Sequence, residues 1–460
     1  MKVLKFGGTS VGTVDSLRNV KRIVDSLEEP AVVVVSALGG LTDRLIATAR
    51  AAAQGEDSFR DDVAGFARRH SEIIEALVPS DRRTEVSATV RGLTAQLLEI
   101  YTGLSLIRDL PAKTLDLVVS FGERMSSVIV ANILENAVHA DSLEFIRTEK
   151  WFNRDIAARQ LTDSLISEKI ALPLAATVVT GGFISRDKDT GDITNLGRGG
   201  SDYTAALIAA RLGADLLEIW TDVDGFMTAD PRIIPDARVI PDMSFIESME
   251  LCSYGAKVIY PPTIYPVFHR NIPIRILNTH NPSAPGTLIT DSSDSLPADV
   301  RGVSSVKKTA MVSVTGSLTA NVAEINSRSF NAMARNGISI LLVAQPASDA
   351  AFSIALAEAD AGKAMEALRA EFAPELQEGS VREVSLETDL TVLAVVRESI
   401  KEIKGLGARL VNTLQRDGVD VKAVSDGASE TTIAIIVPDS DAVRSLRLVH
   451  SACFSGQQAQ

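Results

Sequence analysis

Two glycine-rich segments carry cationic side chains that could bind phosphate or carboxylate groups. The first, KFGGTS, places Lys5 before a pair of glycines, and the second, GRGGSD, places Arg198 among three. Glycines let backbone N–H groups approach an anion closely, and a lysine beside them adds a point charge. An arginine can bind a carboxylate or a phosphate through two parallel hydrogen bonds. Both segments therefore predict an anionic ligand.

Each segment also has a purely structural interpretation. The first matches neither the G-x-x-x-x-G-K-[ST] phosphate loop nor the G-x-G-x-x-G dinucleotide motif, and two glycines after a strand often form a simple turn. In the second, Ser201 or Asp202 would cap the helix predicted over residues 203–212. Three glycines lose backbone entropy that an ordinary loop avoids, so the segment around Arg198 is better explained by function.

Three further polar segments follow predicted strands, where open α/β sheets place their ligands, and a fourth follows a turn. They are the small-residue loop Ser36–Thr42, the FGER segment with Glu123 directly after a strand, the acidic TDVDG and DPR segments at 221–225 and 230–232, and the GAKV segment with Lys257. A helix cap or a surface ion pair would also explain Glu123. Turn chemistry alone would explain most of the acidic segment.

The elements that must position these residues alternate between strands and helices from the start of the chain to about position 290. Buried strands are predicted at Ala31–Ala37, Leu115–Ser120, Ala175–Thr180 and Leu216–Thr221, with helices between them such as Ser16–Leu27 and Ser126–Glu135. Such alternation predicts an α/β fold with a mostly parallel sheet sandwiched by helices. The long charged stretch Arg50–Tyr101 is predicted to be an inserted helical hairpin.

The chain beyond about position 298 repeats itself at a constant offset. Gly337 aligns with Gly418, and the segment at 347–349 aligns with that at 428–430. Each copy has the pattern strand, helix, strand, strand, helix, and each of the two glycines is predicted to end a helix in the left-handed conformation. Simple duplication explains this repeat, and so does a pair of modules that sense small molecules.

Composition excludes several classes of function. The 460 residues include 46 Lys and Arg against 59 Asp and Glu, and the formal charge of −13 argues against nucleic acid or an anionic membrane as a general partner. Two distant cysteines and five scattered histidines provide no metal-ligand spacing, so no protein metal site is predicted. The longest uncharged stretch, Ile170–Ser185, contains a proline and two glycines and is too short to span a bilayer. Without an apolar signal segment before Asp15, a cytoplasmic protein is expected.

Together the motifs resemble one family, the aspartokinases, in their order and spacing: KFGGTS at 5–10, FGER at 121–124, GRGGSD at 197–202, TDVDG at 221–225, DPR at 230–232 and GAKV at 255–258. The resemblance implies an amino-acid kinase fold over residues 1–290. It also implies a regulatory domain over residues 291–460, built from two ferredoxin-like α+β ACT modules. These would lie at about 310–384 and at about 299–309 plus 385–460, with Arg301–Lys308 pairing with the C-terminal module.

The resemblance further implies ATP-dependent phosphorylation of the side-chain carboxylate of L-aspartate, giving 4-phospho-L-aspartate, the first step towards lysine, threonine and methionine. Lys5 and Asp202 would be catalytic. The aspartate site would comprise Thr42, Glu123, Arg198, Gly199, Gly200 and Ser201. The ATP site would comprise Lys5, Gly7, Gly8, Ser10, Thr221, Asp222, Arg232, Lys257 and Val258. Mg²⁺ would enter with the nucleotide rather than occupy a dedicated protein cage.

The second half is most similar to the kinase part of bifunctional aspartokinase–homoserine dehydrogenases. No G-x-G-x-x-G follows the second module, so dehydrogenase activity is not expected of this chain. A glutamine in each module is tied to threonine sensing in such relatives; Gln345 occupies the first position, but Asp426 occupies the second. Threonine is therefore expected at one module, with lysine as the competing effector, and the effector site would include Gln345, Asn336 and Ile338.

One segment departs from the family pattern, and two other functions would also explain the motifs. Phe226-Met227 stands where the family often has a tyrosine near the adenine. A kinase of another amino-acid carboxylate, such as N-acetylglutamate, and a catalytically silent amino-acid sensor are the alternative functions. The ACT resemblance also implies a homodimer or a larger homo-oligomer, since such modules usually pair edge strands across subunits.

Overall fold

The computed structural model describes residues 1–151, 154–291, 300–317, 321–345, 351–426 and 430–454. The chain separates into two compact units. The first comprises residues 1–226, 239–245 and 258–293, and the second comprises residues 227–238, 246–257 and 294–460. Two short segments that precede position 290 therefore group with the second unit. The domain and module limits given above stay predictions.

Twelve strands and ten α-helices are described before position 292. The strands are β1 (Lys2–Phe6), β2 (Val32–Val35), β3 (Ala137–His139), β4 (Arg147–Trp151), β5 (Arg154–Ala157), β6 (Thr177–Gly181), β7 (Ile184–Asp187), β8 (Ile193–Asn195), β9 (Leu216–Thr221), β10 (Asp242–Ser244), β11 (Ile274–Asn278) and β12 (Thr287–Thr290). The helices are α1 (Gly8–Val11), α2 (Val14–Asp25), α3 (Leu41–Ala53), α4 (Phe59–Leu77), α5 (Ser80–Ile107), α6 (Ala112–Ile133), α7 (Arg159–Lys169), α8 (Gly200–Leu212), α9 (Phe245–Ser253) and α10 (Ile264–Phe268).

An eight-stranded sheet forms the centre of the first unit, in the order β10-β12-β11-β9-β1-β2-β6-β3. All its pairs are parallel except β11 with β12. The all-valine strand β2 is completely buried, as expected for a strand covered on both faces. A smaller sheet has the order β5-β4-β7-β8. The predicted mostly parallel α/β fold is confirmed.

Side chains alternate across the central sheet and pack against different helices. Leu4 and Phe6 join a core shared with α2 to α6, and Val33 and Val35 lie on the same side. Lys5 points to the opposite face. Helix α8 packs on β1, β2 and β9. Strand alternation thus separates the hydrophobic support of β1 from its one functional side chain.

One predicted strand is wrong. Leu115–Ser120 lies within α6, which begins at Ala112 and runs on through the segment predicted as a separate helix from Ser126. The run is apolar enough to be mistaken for a strand because this helix is buried over much of its surface, from Val118 onwards. The predicted helical insertion, by contrast, is confirmed: α4 and α5 cover most of Arg50–Tyr101.

The second unit contains a six-stranded antiparallel sheet in the order β14-β15-β13-β16-β18-β17. Its strands are β13 (Gly302–Gly316), β14 (Ile340–Ala344), β15 (Ala351–Ala357), β16 (Val381–Val396), β17 (Ala423–Ser425) and β18 (Thr432–Pro438). Its helices are α11 (Val322–Arg335), α12 (Ala361–Glu371), α13 (Ala373–Glu378), α14 (Leu406–Arg416) and α15 (Ala442–Phe454). The antiparallel α+β region was predicted correctly.

The repeat is visible in the backbone. Gly337 and Gly418 follow α11 and α14 with φ angles of 64° and 79°, the left-handed helix ends that the pattern predicted. Lys308 and Asp389, which also occupy equivalent positions of the repeat, both have positive φ, at 53° and 56°. They lie where the pairing of β13 with β16 shifts register. The aligned segments at 347–349 and 428–429 lie outside the described residues.

The two long strands are shared between the halves of this sheet. Gly302–Val306, the first part of β13, pairs with Val392–Val396 of β16, beside β18. Thr309–Thr315, the second part of β13, pairs with the first part of β16 and with β15. Residues 302–306 thus pair with the part of β16 that lies beside β18.

None of the helices in the described part of the chain combines the length and the apolar character that a membrane crossing would require.

Candidate active site

A cavity of about 710 Å³ opens in the first unit, at the carboxyl ends of β1 and β2. Its walls come from the segments after these strands, from one face of α6 and from the loop between β8 and α8. Nine of the predicted site residues line it: Lys5, Gly8, Thr42, Glu123, Arg198, Gly199, Gly200, Ser201 and Asp202. The structure thus brings the two glycine-rich segments, which are distant in sequence, to one place.

A buried ion pair lies at the base of this site. The Nζ atom of Lys5 lies 2.6 Å from Oδ1 of Asp202, and the two residues are 9% and 8% exposed. Lys5 comes from the carboxyl end of β1 and Asp202 from the first turn of α8. Because each charge is taken out of water, each requires the other. The pair therefore holds the ammonium group at the cavity wall.

The loop that carries Arg198 depends on its glycines. Gly197 and Gly199 have φ angles of 72° and 69°, and a Cβ atom on Gly199 would overlap the side chain of Tyr260. Gly199 is the N-cap of α8 and no side chain caps the helix, so the structural interpretation in which Ser201 or Asp202 caps it does not hold. Both residues lie inside the helix and line the cavity, and Arg198 is exposed.

Glu123 faces the same cavity from the middle of α6, and not from a strand end as predicted. Its Oε1 atom accepts a hydrogen bond from the backbone N–H of Ala37 at 3.1 Å, while its Oε2 atom is buried and has no hydrogen-bond partner among the described residues. Burial raises the pKa of this carboxyl group to about 8, against the effects of the Ala37 hydrogen bond and of Lys5. A cationic ligand would favour its ionised form.

The start of α3 and a second acidic group on α6 complete the wall. Thr42, predicted in a loop, is the second residue of α3. Asp116 lies about two turns before Glu123 on α6 and was not predicted. Its Oδ1 atom accepts a hydrogen bond at 2.5 Å from Nδ2 of Asn195, whose Oδ1 accepts one from the N–H of Gly197 at 2.9 Å. Burial, followed by the nearby Asp155, raises the pKa of Asp116 to about 6.

Several predicted ATP residues lie outside the cavity lining. The N–H of Gly7 and the hydroxyl of Ser10 both donate to the carbonyl of Trp220, and Ser10 also contacts the hydroxyl of Thr279 at 2.7 Å. The hydroxyl of Thr221 donates to Asp222. Val258, also in the first unit, is not among the lining residues. Arg232, which forms three hydrogen bonds with Asp230, and Lys257 belong to the second unit.

The predicted effector residues do not share one pocket. Gln345 lines a cavity of about 500 Å³ between β14 and β17, together with Asp426. Its Oε1 atom accepts a hydrogen bond from Asn326 on α11. Asn336 lines another cavity, between α11 and α12, and Ile338 is buried in the core of the first repeat. The repeat thus brings Gln345 and Asp426 together but separates Gln345 from Asn336.

Among the described residues, no three His, Cys, Asp or Glu side chains are grouped closely enough to hold a metal ion.

Comparison with protein families gives two matches. The amino acid kinase family model matches residues 1–278. An ACT domain model matches twice, at 312–372 and 393–453, and these two ranges keep the same offset as Gly337 and Gly418.

Individual relatives match along almost the whole chain. The chain is 33% identical to a bifunctional aspartokinase/homoserine dehydrogenase of Haemophilus influenzae, which it matches over its own full length but over only 57% of the relative. It is 30% identical to aspartokinase 2 of Arabidopsis thaliana, over 98% of the chain and 84% of that protein. It also superposes on Escherichia coli aspartokinase III bound to aspartate and ADP, with a TM-score of 0.83 at 27% identity, covering 99% of the chain and 100% of the other. The lysine- and aspartate-bound form of that enzyme gives 0.76 at 26% identity, with 99% of each chain covered.

The raised pKa of Glu123 has a consequence for stability. In the folded, ligand-free protein the carboxyl group keeps its proton up to about pH 8, whereas the unfolded chain loses it near the ordinary value. Wild type should therefore lose stability relative to Glu123→Gln between about pH 5 and pH 8, by up to about 1.4 kcal/mol per pH unit. Urea unfolding across this range measures the difference. Glu85→Gln, at an exposed site on α5, is the matched control; parallel curves for Glu123→Gln and wild type would contradict the assignment.

Proposed function

Because the chain belongs to the amino acid kinase family and, within it, to the aspartokinases, we propose that it transfers the γ-phosphoryl group of ATP to the side-chain carboxylate of L-aspartate. The product would be 4-phospho-L-aspartate, at the start of lysine, threonine and methionine synthesis. The observation that carries this proposal is one cavity lined by Lys5, Asp202, Arg198 and Glu123. These side chains offer two cations for anionic groups and a carboxyl group for an ammonium group.

Phosphoryl transfer requires alignment and charge neutralisation more than covalent chemistry. Lys5 would stabilise the charge on the phosphoryl group in transit, and Asp202 would hold its ammonium group in place through the 2.6 Å ion pair. Gly7, Gly8 and Ser10 would surround the phosphates. Mg²⁺ would enter with ATP and neutralise phosphate charge.

The aspartate would be held by both of its ends. Arg198 would bind the α-carboxylate with its planar guanidinium group. The backbone of Gly199 and Gly200 and the hydroxyl group of Ser201 would support it. Glu123 and Thr42 would bind the amino end. The unpartnered Oε2 atom of Glu123 supports this role, since a buried carboxyl oxygen without a donor in the described part of the chain is open to a ligand ammonium group. The side-chain carboxylate would then be free to attack.

For the nucleotide we propose Thr221, Asp222 and Val258, which belong to the first unit. Thr221 and Asp222 lie at the end of β9. This strand pairs with β1, the strand that carries Lys5. Phe226 belongs to the segment in which the family often has a tyrosine, and its side chain is buried.

Substitutions of Lys5 and of Arg198 should change different kinetic constants. Lys5→Ala should lower kcat by roughly 10²–10³, as the removal of a charge-stabilising donor does, whereas Arg198→Ala should chiefly raise the aspartate KM. The assay is the trapping of aspartyl phosphate as a hydroxamate, with ADP release measured in parallel. Lys2→Ala, on the same strand, and Arg186→Ala, on β7, are controls outside the cavity.

A substrate panel in the same assay tests the proposed activity itself. L-Aspartate should be phosphorylated and N-acetyl-L-glutamate should not, because the latter has no ammonium group for Glu123. Wild-type kinetics in both Lys5→Ala and Arg198→Ala would overturn the assignment of this site. Absence of ATP turnover with aspartate, beside tight binding of threonine or lysine, would favour the silent sensor.

We further propose feedback inhibition by threonine or lysine, bound at the repeated ACT modules. An effector inhibits by binding one conformation better than another. Gln345 lies in a cavity between the edge strands of the two repeats, beside Asp426. A Cβ atom on Gly407, in the first turn of α14, would overlap the Asp426 carboxylate. In the second repeat the Asp426 carboxylate thus lies beside the start of α14. This supports effector binding at the first repeat alone.

Gln345→Ala should weaken inhibition by threonine without lowering uninhibited activity, because the residue lies outside the catalytic cavity. Inhibition curves for threonine and for lysine measure the effect, with Gln377→Ala on α13 as the control. An unchanged threonine curve would remove Gln345 from the effector site.

We also propose a homodimer or larger homo-oligomer in the cytoplasm. Strands β14 and β17 end the six-stranded sheet, and each has a partly exposed valine, Val343 and Val424, at equivalent positions of the repeat, where both also line the Gln345 cavity. Exposed apolar side chains on end strands favour pairing with another chain. Sedimentation of the full chain should give at least twice its mass of 49.0 kDa. A monomer at assay concentration would contradict this.

A further inference from the structure

A side chain from the inserted helices joins two segments of the candidate active site. Arg69 lies on α4, and its Nη2 atom donates hydrogen bonds to the carbonyl oxygens of Gly12, at 2.8 Å, and Gly39, at 3.0 Å. Gly12 ends the segment Gly7–Gly12 after β1, and Gly39 belongs to the loop Ser36–Gly40 after β2. One nitrogen therefore bridges two backbones that are neighbours in space but not in sequence.

These two segments touch mainly through backbone atoms. A Cβ atom on Gly8 would lie 3.1 Å from the carbonyl oxygen of Ala37, and one on Gly39 would lie 3.0 Å from the carbonyl oxygen of Gly8. Contacts this close leave no space for a side chain between them. Van der Waals contact limits how near the segments come but does little to prevent sliding or separation. A directional hydrogen-bond donor to both segments does.

Arg69 also has no competing partner in the described part of the chain. The neighbouring Arg44 pairs with Asp62 at 3.1 Å, whereas Arg69 forms no ion pair there. Burial and the nearby Arg44 lower the pKa of the half-buried Arg69 guanidinium group, which nevertheless remains charged near neutral pH. Hydrogen bonds from a charged donor are stronger than those between neutral groups. Its bonding capacity is therefore directed to the two carbonyl groups.

We propose that Arg69 is a positioning residue for phosphoryl transfer, which fixes the spacing between the Gly7–Gly12 segment and the Ser36–Gly40 loop. This inference rests on the proposed function. Lys5 lies just before the first segment, and Ala37 of the loop donates to Glu123. Arg69 therefore sets the distance between the parts of the site that hold phosphate and those that hold the amino end of aspartate.

Loss of this bridge should affect alignment more than binding. Each part of the site keeps its own ligand contacts, so the KM values for aspartate and ATP should change less than threefold. The reacting atoms, however, lose their relative placement, and a misplacement of about 1 Å can lower a rate about 100-fold. For Arg69→Ala we expect kcat to fall by roughly 10- to 100-fold.

The test compares full-length Arg69→Ala, Arg69→Lys and Arg68→Ala. Arg68 is the adjacent, exposed arginine on the same helix, and its replacement should leave kcat unchanged. Arg69→Lys keeps a charged donor on a shorter group and should lose less activity than Arg69→Ala. Millimolar guanidinium ion should restore part of the kcat of Arg69→Ala and none in Lys5→Ala. Equal kcat values for wild type, Arg69→Ala and Arg69→Lys would overturn the proposal, as would a loss confined to KM.

Hydrogen–deuterium exchange separates this proposal from the proposed function. Peptides covering residues 7–12 and 36–42 should exchange faster in Arg69→Ala than in wild type or Arg68→Ala, whether or not the protein phosphorylates aspartate. Wild type without aspartate kinase activity would refute the function alone. Unchanged exchange in both peptides would refute the bridge alone. If Arg69→Ala does not fold, Arg69→Lys supplies both measurements.

Discussion

The ion pair between Lys5 and Asp202 is the constraint around which the first unit is arranged. Taking two opposite charges out of water is costly, and a single one of them left alone would cost still more. The pair therefore requires that the carboxyl end of β1 and the first turn of α8 stay together. Strand alternation points Lys5 away from the hydrophobic side of β1, and α8 packs on the face that it reaches. The ammonium group is thus fixed before any substrate arrives.

Other parts of the site follow from the same arrangement. Gly199 starts α8 in a conformation that few residues other than glycine adopt, which leaves Arg198 exposed just before the helix. Asn195 links the backbone of this loop to Asp116 on α6, and α6 also carries Glu123. The Lys5–Asp202 pair, Arg198 and Glu123 are therefore connected through protein contacts and do not merely lie near one another. Such preorganisation spares reorganisation during the reaction.

Much of this site could be predicted from the sequence because its residues lie in short motifs beside strands. Lys5 and Arg198 were found through their flanking glycines. The sequence does not reveal the helix containing Glu123: Leu115–Ser120 is apolar like a strand, because this part of α6 is buried on several sides. Treating it as a strand hid Asp116, since residues two turns apart share a face on a helix, whereas side chains alternate across a strand. The bridging role of Arg69 has no sequence signal, because its partners are carbonyl groups of the backbone.

In the second unit, the constant offset between the two copies predicted the element order, since each repeat needs the same apolar faces. Repetition of the sequence does not reveal which strands pair, and β13 and β16 each run through both halves of the sheet. The first repeat is contiguous in sequence, whereas the second takes one of its strands, Gly302–Val306, from the chain that precedes the first. The whole first repeat thereby forms the connection between two paired strands of the second, Gly302–Val306 and Val392–Val396.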